Sequence, residues 1–225
     1  MGPWLIFATL INKAAIALYY DAPLDKNFGK FVQEANVSML GVIPSIVKHW
    51  KNKACMESLD WSAIKNFSST GEVSNPTEME YLMQLANNKP VIEYCGGTEI
   101  GGGYVTSTVV QENKASTFST KALGSEFVIL DENDIEVNKG EVFLIPPIMG
   151  LSTRLLNKNH QEIYYDNTPK FSTKLRRHGD EVQQLENGYF KILGRVDDAM
   201  NLGGIKVSAT QIEEVLQALD FIKES

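Results

Sequence analysis

The richest chemistry in the sequence lies in one stretch near its C-terminal end. Asp180 follows a glycine, which can adopt backbone angles closed to other residues and so direct the next carboxylate outward. Residues 181–185 and 189–193 then flank an Asn-Gly pair, and that arrangement is a strong signal for a β-hairpin. Arg195 comes directly after the second run. The pattern therefore predicts a carboxylate and a guanidinium at one edge of a small sheet, an arrangement suited to ligand binding.

Further candidate residues follow in the same stretch. Asp197 belongs to an acidic pair, and a Gly203-Gly204 pair precedes Lys206. Each motif is weak by itself, because Gly-Asp is usually a turn and Arg-x-Asp-Asp is usually a solvated loop. Their order and spacing together favour a functional site.

Two other segments carry small, hydroxyl and acidic residues directly after predicted strands. Residues 68–73 (SSTGEV) follow a strand at 64–68, and residues 94–99 (YCGGTE) follow a strand at 91–94. Ligands of parallel sheets gather at the carboxyl ends of the strands. These loops would offer hydroxyls and backbone groups to a nucleotide, and a carboxylate to Mg²⁺. The alternative is two capped strand-to-helix turns, because Gly and Ser are the usual material of loops.

Hydrophobic periodicity predicts an α/β fold for the first part of the chain. Helix and strand signals alternate from residue 4 to residue 94, which favours a mostly parallel sheet with helices packed on its faces. The predicted helices are 4–12, 28–35, 44–51 and 76–87, and the predicted strands are 15–19, 37–43, 64–68 and 91–94.

The pattern changes to consecutive strands after residue 121. Runs at 124–130, 140–147 and 161–165, with the hairpin 181–193, predict a small antiparallel, barrel-like unit. A helix capped by Ser208 then opens a final unit. Its apolar face comprises Ile212, Val215, Leu216 and Leu219, and it either begins a further domain or docks on the main body. The expected division is 1–120, 121–194 and 195–225.

Composition limits the classes of partner. The chain has 225 residues, a formal net charge of −7, two cysteines and three histidines. The acidic balance gives no support for a nucleic-acid partner, and the scattered cysteines and histidines argue against a disulfide framework or a zinc site. Residues 3–20 are apolar, but Asn12-Lys13 interrupts the run, which favours a buried helix and strand over a membrane span. We expect a cytoplasmic protein, and the sequence leaves its oligomeric state open.

At these motifs the chain resembles the acyl-adenylate-forming enzymes, and most of all their acetyl-CoA synthetase branch. The resemblance implies that Asp180 grips both ribose hydroxyls of ATP and that Arg195 supports it. It also implies that Asp197 is the hinge of a rotating C-terminal lid. These roles suit the residue types, because an ionised carboxylate can accept from both hydroxyls of a vicinal diol.

The resemblance also assigns roles to the two loops. Thr98 would contact the α-phosphate side of ATP and Glu99 would coordinate Mg²⁺, while the segment Gly71-Glu72-Val73 would lie along the adenine. Residues Tyr94, Cys95, Gly96 and Gly97 would complete the nucleotide wall. Two departures stand out. Cys95 occupies the position of the usual adenine-stacking aromatic residue, and Gly96 replaces the tryptophan that closes the acyl pocket in acetate-specific members. The resemblance thus implies an acid larger than acetate, with Thr70 and Gly96 lining its pocket.

The implied reaction is an ATP-dependent activation of a small-molecule carboxylic acid followed by transfer to coenzyme A. Thr98, Glu99 and Lys206 would be the catalytic residues, and Gly204 would lie beside the pantetheine tunnel. The family's phosphate-loop lysine and its lid lysine are expected outside these 225 residues, so the chain alone is expected to be inactive. The alternatives are an adenylating enzyme that loads a carrier protein and a non-catalytic nucleotide-binding domain.

Overall fold

The structure is a computed structural model that describes residues 2–202 and 205–208, together with positions 212, 215 and 216. Its first sheet contains three parallel strands followed by two antiparallel ones. In chain order these are β1 (Met39–Val42), β2 (Asn66–Ser69), β3 (Val91–Gly97), β4 (Gly102–Thr106) and β5 (Thr120–Lys121). The helices of this part are α1 (Gly2–Ile11), α2 (Lys26–Glu34), α3 (Pro44–Lys53) and α4 (Pro76–Leu85).

Local sequence explains where these helices begin. A proline starts both α3 and α4, where its missing N–H costs no hydrogen bond. Asn75 caps α4 by accepting from the backbone N–H of Thr77 at 2.9 Å. Between the helices and the sheet lies an apolar core with an aromatic centre. Trp61 contacts both Trp50 and Phe67, with ring centroids 5.8 and 6.3 Å away.

The second sheet is antiparallel and has four strands. They are β6 (Phe127–Leu130), β7 (Lys139–Leu144), β8 (Arg176–Gln184) and β9 (Phe190–Arg195). Gly188, with φ +82°, lies in the β8–β9 turn, as the Asn-Gly signal predicted. Tyr104 and Val105 of β4 share a core with Phe127 of β6, so the two sheets pack against each other. This class, α/β with a parallel-rich sheet followed by an antiparallel sheet, confirms the predicted fold class.

Beyond β9 the chain forms a small ribbon, with β10 (Ala199–Leu202) antiparallel to β11 (Ile205–Ser208). Ser208, predicted as a helix cap, is the last residue of β11, and the extended backbone of a strand is compatible with that role. Ile212, Val215 and Leu216 of the predicted helix are helical. Leu219 of that helix lies outside the described residues.

Three predictions are wrong. The segment 161–165 is not a strand but lies largely in α5 (His160–Tyr164), because the Asn159 side chain accepts from two backbone N–H groups and caps a helix there. Residues 15–19 form no strand. The N-terminal helix is not buried either, since Phe7 is 65% exposed and Leu10 is 68% exposed. No helix within the described residues is long and apolar enough to cross a membrane.

Candidate functional site

One cavity of about 410 Å³ lies between the first sheet and the β8–β9 hairpin. Its wall on the first sheet is built from the segment after β2 and from β3 itself, which extends to Gly97 and so includes residues predicted to form a loop. The predicted site residues that line it are Thr70, Gly71, Glu72, Val73, Tyr94, Cys95, Gly96, Gly97, Glu99, Asp180 and Arg195. The structure therefore brings the two loops and the hairpin motif together.

Asp180 occupies the centre of a buried polar network. Its Oδ2 accepts from the Tyr104 hydroxyl at 3.0 Å, from His178 Nε2 at 3.1 Å and from the Cys95 thiol at 3.3 Å. Burial raises the pKa of the Asp180 carboxyl. The hydrogen bond and charge of His178 and the hydrogen bonds from Tyr104 and Cys95 outweigh burial and leave the pKa below its ordinary value. The carboxyl is therefore held ionised although Asp180 is only 6% exposed.

Arg195 completes this network from the neighbouring strand. It lies opposite Asp180 in the β8–β9 ladder, and its Nη1 donates to Asp180 Oδ1 at 3.0 Å and to the carbonyl of His178 at 2.8 Å. The guanidinium covers Gly179, where a Cβ would lie 2.7 Å from Arg195 Nη2. Gly179 also has φ +88°, so glycine is required there both for its backbone angle and for the approach of the arginine.

Glu99 lies on a single 3₁₀ turn, Thr98–Ile100, that follows β3. Its side chain is 33% exposed and Oε1 lies 3.7 Å from His178 Nδ1. Ser152 donates its backbone N–H to the Glu99 carbonyl at 2.7 Å, and the buried Arg176 donates to the Ser152 hydroxyl at 3.0 Å. These two hydrogen bonds hold the turn in position. Thr98 is exposed and is not among the cavity-lining residues.

Magnesium can be tested against this donor set. The described residues contain no group of three or more His, Cys, Asp and Glu side chains placed to hold a metal ion. Glu99 would therefore act as a single protein ligand. That number suits Mg²⁺, which commonly keeps water ligands and binds through one or two carboxylates and the substrate's phosphates.

A bulge in the β3–β4 pairing shapes the floor of the cavity. The register shifts between Cys95 and Gly96. A Cβ at Gly96 would lie 1.9 Å from the carbonyl oxygen of Gly102, so the backbone contact requires glycine whatever the bound acid. Burial first, and then the charge of Asp180, raises the pKa of the Cys95 thiol, which remains protonated and donates to that carboxylate.

The segment after β2 is anchored at both of its ends. The Thr70 hydroxyl donates to the carbonyl of Tyr94 at 2.8 Å, which joins this segment to β3. Glu72 accepts from the backbone N–H of Ser45 at 2.8 Å and from its hydroxyl at 2.9 Å. The Glu72 carboxylate thus caps the N-terminus of α3, whose own N-cap, Ile43, has no side chain able to accept.

Two ionisable cavity residues carry no role in the sequence analysis. Glu93 is 2% exposed, and its Oε1 has no hydrogen-bond partner among the described residues. Burial raises the pKa of Glu93 to about 7, against an opposing effect of the Ser74 and Ser69 hydroxyls. His178 is the second. Strand periodicity could have indicated it, because it precedes Asp180 by two positions on a strand and therefore shares its face.

The remaining predicted residues are Asp197, Gly204 and Lys206. Asp197 is exposed and accepts from Arg195 Nε at 3.3 Å. Lys206 belongs to β11, but its side chain lies outside the described part of the structure, as does Gly204.

The fold is shared with enzymes that activate carboxylic acids. An anthranilate CoA ligase, solved in complex with anthranoyl-AMP, matches with a TM-score of 0.77 over 94% of this chain and 40% of that chain, at 18% identity. Such identity shows the fold alone. No protein-family profile matches the chain.

Sequence relatives extend the likeness. Hexanoyl-CoA synthase of Cannabis sativa is 48% identical over 98% of this chain, as is probable acyl-activating enzyme 17, peroxisomal, of Arabidopsis thaliana. Acetyl-coenzyme A synthetase of Photobacterium profundum is 26% identical over 99% of the chain. The chain spans 31% of the length of the first two relatives. It is therefore homologous, along nearly all of its length, to about a third of an acyl-CoA synthetase, which confirms the resemblance.

Proposed function

We propose that the chain forms the nucleotide- and acid-binding centre of an AMP-forming acyl-CoA synthetase. The observation that carries this proposal is the ionised Asp180, paired with Arg195 at 3.0 Å, in the same cavity as Glu99. A buried carboxylate with a fixed guanidinium beside it suits the diol of a ribose, and a more exposed carboxylate nearby suits the metal-bound phosphates.

The proposed reaction has two steps. An oxygen of the substrate carboxylate attacks the α-phosphate of ATP, a P–O bond forms, and pyrophosphate leaves to give an acyl-adenylate. The thiol of coenzyme A, losing its proton, then attacks the acyl carbonyl, and the C–O bond to AMP breaks as the thioester forms. Negative charge develops on phosphate oxygens, so the contribution of the protein is mainly positioning and electrostatic stabilisation.

The residues singled out in the sequence have proposed roles in that reaction. Asp180 accepts from the ribose hydroxyls, and Arg195 fixes its carboxylate. The segment 71–73 and the strand residues 94–97 form the wall for the adenine. Thr98 donates to the α-phosphate, and Glu99 would hold Mg²⁺, which when bound neutralises charge on the phosphate oxygens.

The proposed acid is larger than acetate. By the family resemblance Gly96 stands where acetate-specific members have a tryptophan, and both Gly96 and Thr70 line the cavity. A relative at 48% identity is named for hexanoyl-CoA, which supports a chain of intermediate length.

The hinge at Asp197 and the lid contacts of Gly204 and Lys206 belong to the same proposal, as does the division into 1–120, 121–194 and 195–225. Two observations support that division: the first sheet ends at Lys121, and the antiparallel sheet ends at Arg195. The cytoplasm is the proposed compartment, although two relatives are named as peroxisomal.

A chimaera tests the proposal directly. These 225 residues would replace the matching segment of the Cannabis sativa hexanoyl-CoA synthase, so that the relative supplies the rest of the enzyme. We expect acid-dependent ATP–pyrophosphate exchange and formation of a CoA thioester, both abolished by Asp180→Ala. A folded but inactive chimaera would contradict the enzyme proposal and favour a non-catalytic domain.

The chain alone should bind AMP but catalyse no acid-dependent pyrophosphate exchange, because it contains no Ser/Thr/Gly-rich loop with a phosphate-binding lysine. Detection of that exchange would refute this part of the proposal.

Product analysis with coenzyme A and with a carrier domain separates the two proposed acyl acceptors, and the names of the relatives favour coenzyme A.

A further inference from the structure

His178 lies between the two carboxylates of the cavity. Its Nε2 is 3.1 Å from Asp180 Oδ2, and its Nδ1 is 3.7 Å from Glu99 Oε1. The first distance is a hydrogen bond and the second is a close charged contact. One imidazole ring thus contacts both the proposed ribose carboxylate and the proposed metal carboxylate.

The ring is held in place from several directions. The His178 side chain is 3% exposed. The ring packs edge-on against Tyr104 with centroids 4.8 Å apart, and the His178 carbonyl accepts from Arg195 at 2.8 Å. Backbone and ring are therefore both fixed, so a hydrogen bond from this histidine has a defined direction.

This direction determines which oxygen of Asp180 remains able to accept. A carboxylate oxygen offers about two lone-pair sites. Oδ2 already receives donors from His178, Tyr104 and Cys95, whereas among the described residues Arg195 alone donates to Oδ1. Oδ1 therefore keeps capacity for a ligand hydroxyl, provided that the carboxylate does not rotate.

We propose that His178 is a positioning residue that fixes the rotation of the Asp180 carboxylate and thereby sets the discrimination between ribonucleotides and deoxyribonucleotides. The inference rests on the proposed function, because it takes Asp180 as the ribose-binding group. It adds a residue and a specificity to that site. Without the Nε2 donor, the carboxylate can turn toward Tyr104 and Cys95 alone and lose its alignment with the diol.

The test compares a pair of variants of similar size in the 225-residue chain. His178→Gln keeps an N–H donor, and His178→Leu removes it. Calorimetric titration would measure the affinities for AMP, 2′-deoxy-AMP and 3′-deoxy-AMP without Mg²⁺, so that Glu99 has no metal to hold. His49→Leu, at a histidine on α3 that is not among the cavity-lining residues, is the matched control.

The expected result is a change in the ratio of the affinity for AMP to the affinities for the two deoxynucleotides. The unmodified chain and His49→Leu should favour AMP over both deoxynucleotides by about tenfold or more, the size of one hydrogen bond to a charged group. His178→Leu should reduce that preference to within about threefold. His178→Gln should retain most of it.

Two other outcomes overturn the inference, and they are distinguishable. If His178→Leu weakens all three nucleotides equally and leaves the ratio unchanged, the histidine is a structural residue and the ribose site stands. If the unmodified chain binds no AMP, or binds all three equally, the ribose role of Asp180 fails and this inference fails with it. Should His178→Leu not fold, an unchanged AMP preference in His178→Ala decides against the inference in the same way.

Discussion

Asp180 and Arg195 lie directly opposite each other on β8 and β9, with Oδ1 and Nη1 3.0 Å apart, yet the two side chains differ in environment. The Asp180 side chain is 9% exposed and that of Arg195 is 47% exposed. The carboxylate is thus desolvated and depends on its partners, whereas the guanidinium still reaches solvent. Substitution of Asp180 should therefore destabilise the protein more than substitution of Arg195, because it leaves several buried donors without their acceptor.

Asp180→Asn tests the importance of that carboxylate. An amide N–H₂ would face either Arg195 or the donors on Oδ2, so at least one buried donor loses its acceptor. We expect a loss of unfolding free energy of about 1–3 kcal/mol and a loss of AMP affinity of at least about tenfold. Chemical denaturation and calorimetry measure the two effects. Glu181→Gln, which alters the next residue on the strand, is the matched control. Wild-type AMP affinity in Asp180→Asn would remove Asp180 from the binding site.

Gly179→Ala should separate backbone strain from the position of the arginine. Gly179 and Gly188 have φ angles of +88° and +82°, so alanine should cost each site a similar strain, about 1–3 kcal/mol. A Cβ at Gly179 would lie 2.7 Å from Arg195 Nη2, whereas a Cβ at Gly188 would have no atom within 4 Å. We therefore expect Gly179→Ala and Gly188→Ala both to be less stable than the unmodified chain. Only Gly179→Ala should bind AMP more weakly. Equal AMP affinities would show that Arg195 can move without consequence.

The sequence predicted the Asp180–Arg195 pair because its cause is local. An Asn-Gly turn fixes the register of the hairpin as far as the Val182–Ile192 pair. A shift of one residue between Val182 and Glu181 then places Asp180 opposite Arg195. The same kind of local cue failed at 161–165, where the β-branched and aromatic residues of QEIYY indicated a strand but the cap from Asn159 produced a helix.

Other parts of the site depend on contacts between distant segments. Glu72 and Ser45 are 27 positions apart, and Cys95 and Asp180 are 85 positions apart, so no local pattern indicates either contact. The burial of Glu93 has the same origin, since it depends on how the segment carrying Ser74 covers β3. Motif spacing could therefore identify which segments meet, but not which carboxylates within them are free to bind a ligand.

The contact of Glu72 with α3 gives a prediction for stability. An acceptor at a helix N-terminus stabilises both the free N–H groups and the helix dipole. Because Glu72 is exposed, we expect Glu72→Ala to cost about 0.5–1 kcal/mol. Ser45→Ala removes the hydroxyl donor, and denaturation of both single variants and the double variant would measure the coupling. Strict additivity would mean that the carboxylate stabilises α3 independently of the Ser45 hydroxyl.

Glu93 should make the stability of the chain depend on pH in an unusual direction. Burial raises its pKa in the folded state from 4.5 to about 7. Below pH 4.5 the group is protonated in both states. As the pH rises to 7 the unfolded state ionises first, so the folded state loses stability progressively, and above pH 7 the loss is constant. The shift corresponds to about 3 kcal/mol in total.

Glu93→Gln removes this titration while keeping the size and polarity of the side chain. Relative to the unmodified chain, the variant should therefore gain about 3 kcal/mol of unfolding free energy between pH 4 and pH 8. Urea denaturation at a series of pH values measures the difference, in which the titrations common to both proteins cancel. Glu186→Gln makes the same chemical change in the β8–β9 turn and controls for the loss of one charge. A constant difference across this range would mean that Glu93 is ionised in the folded protein, with a counter-charge or solvent reaching its carboxylate.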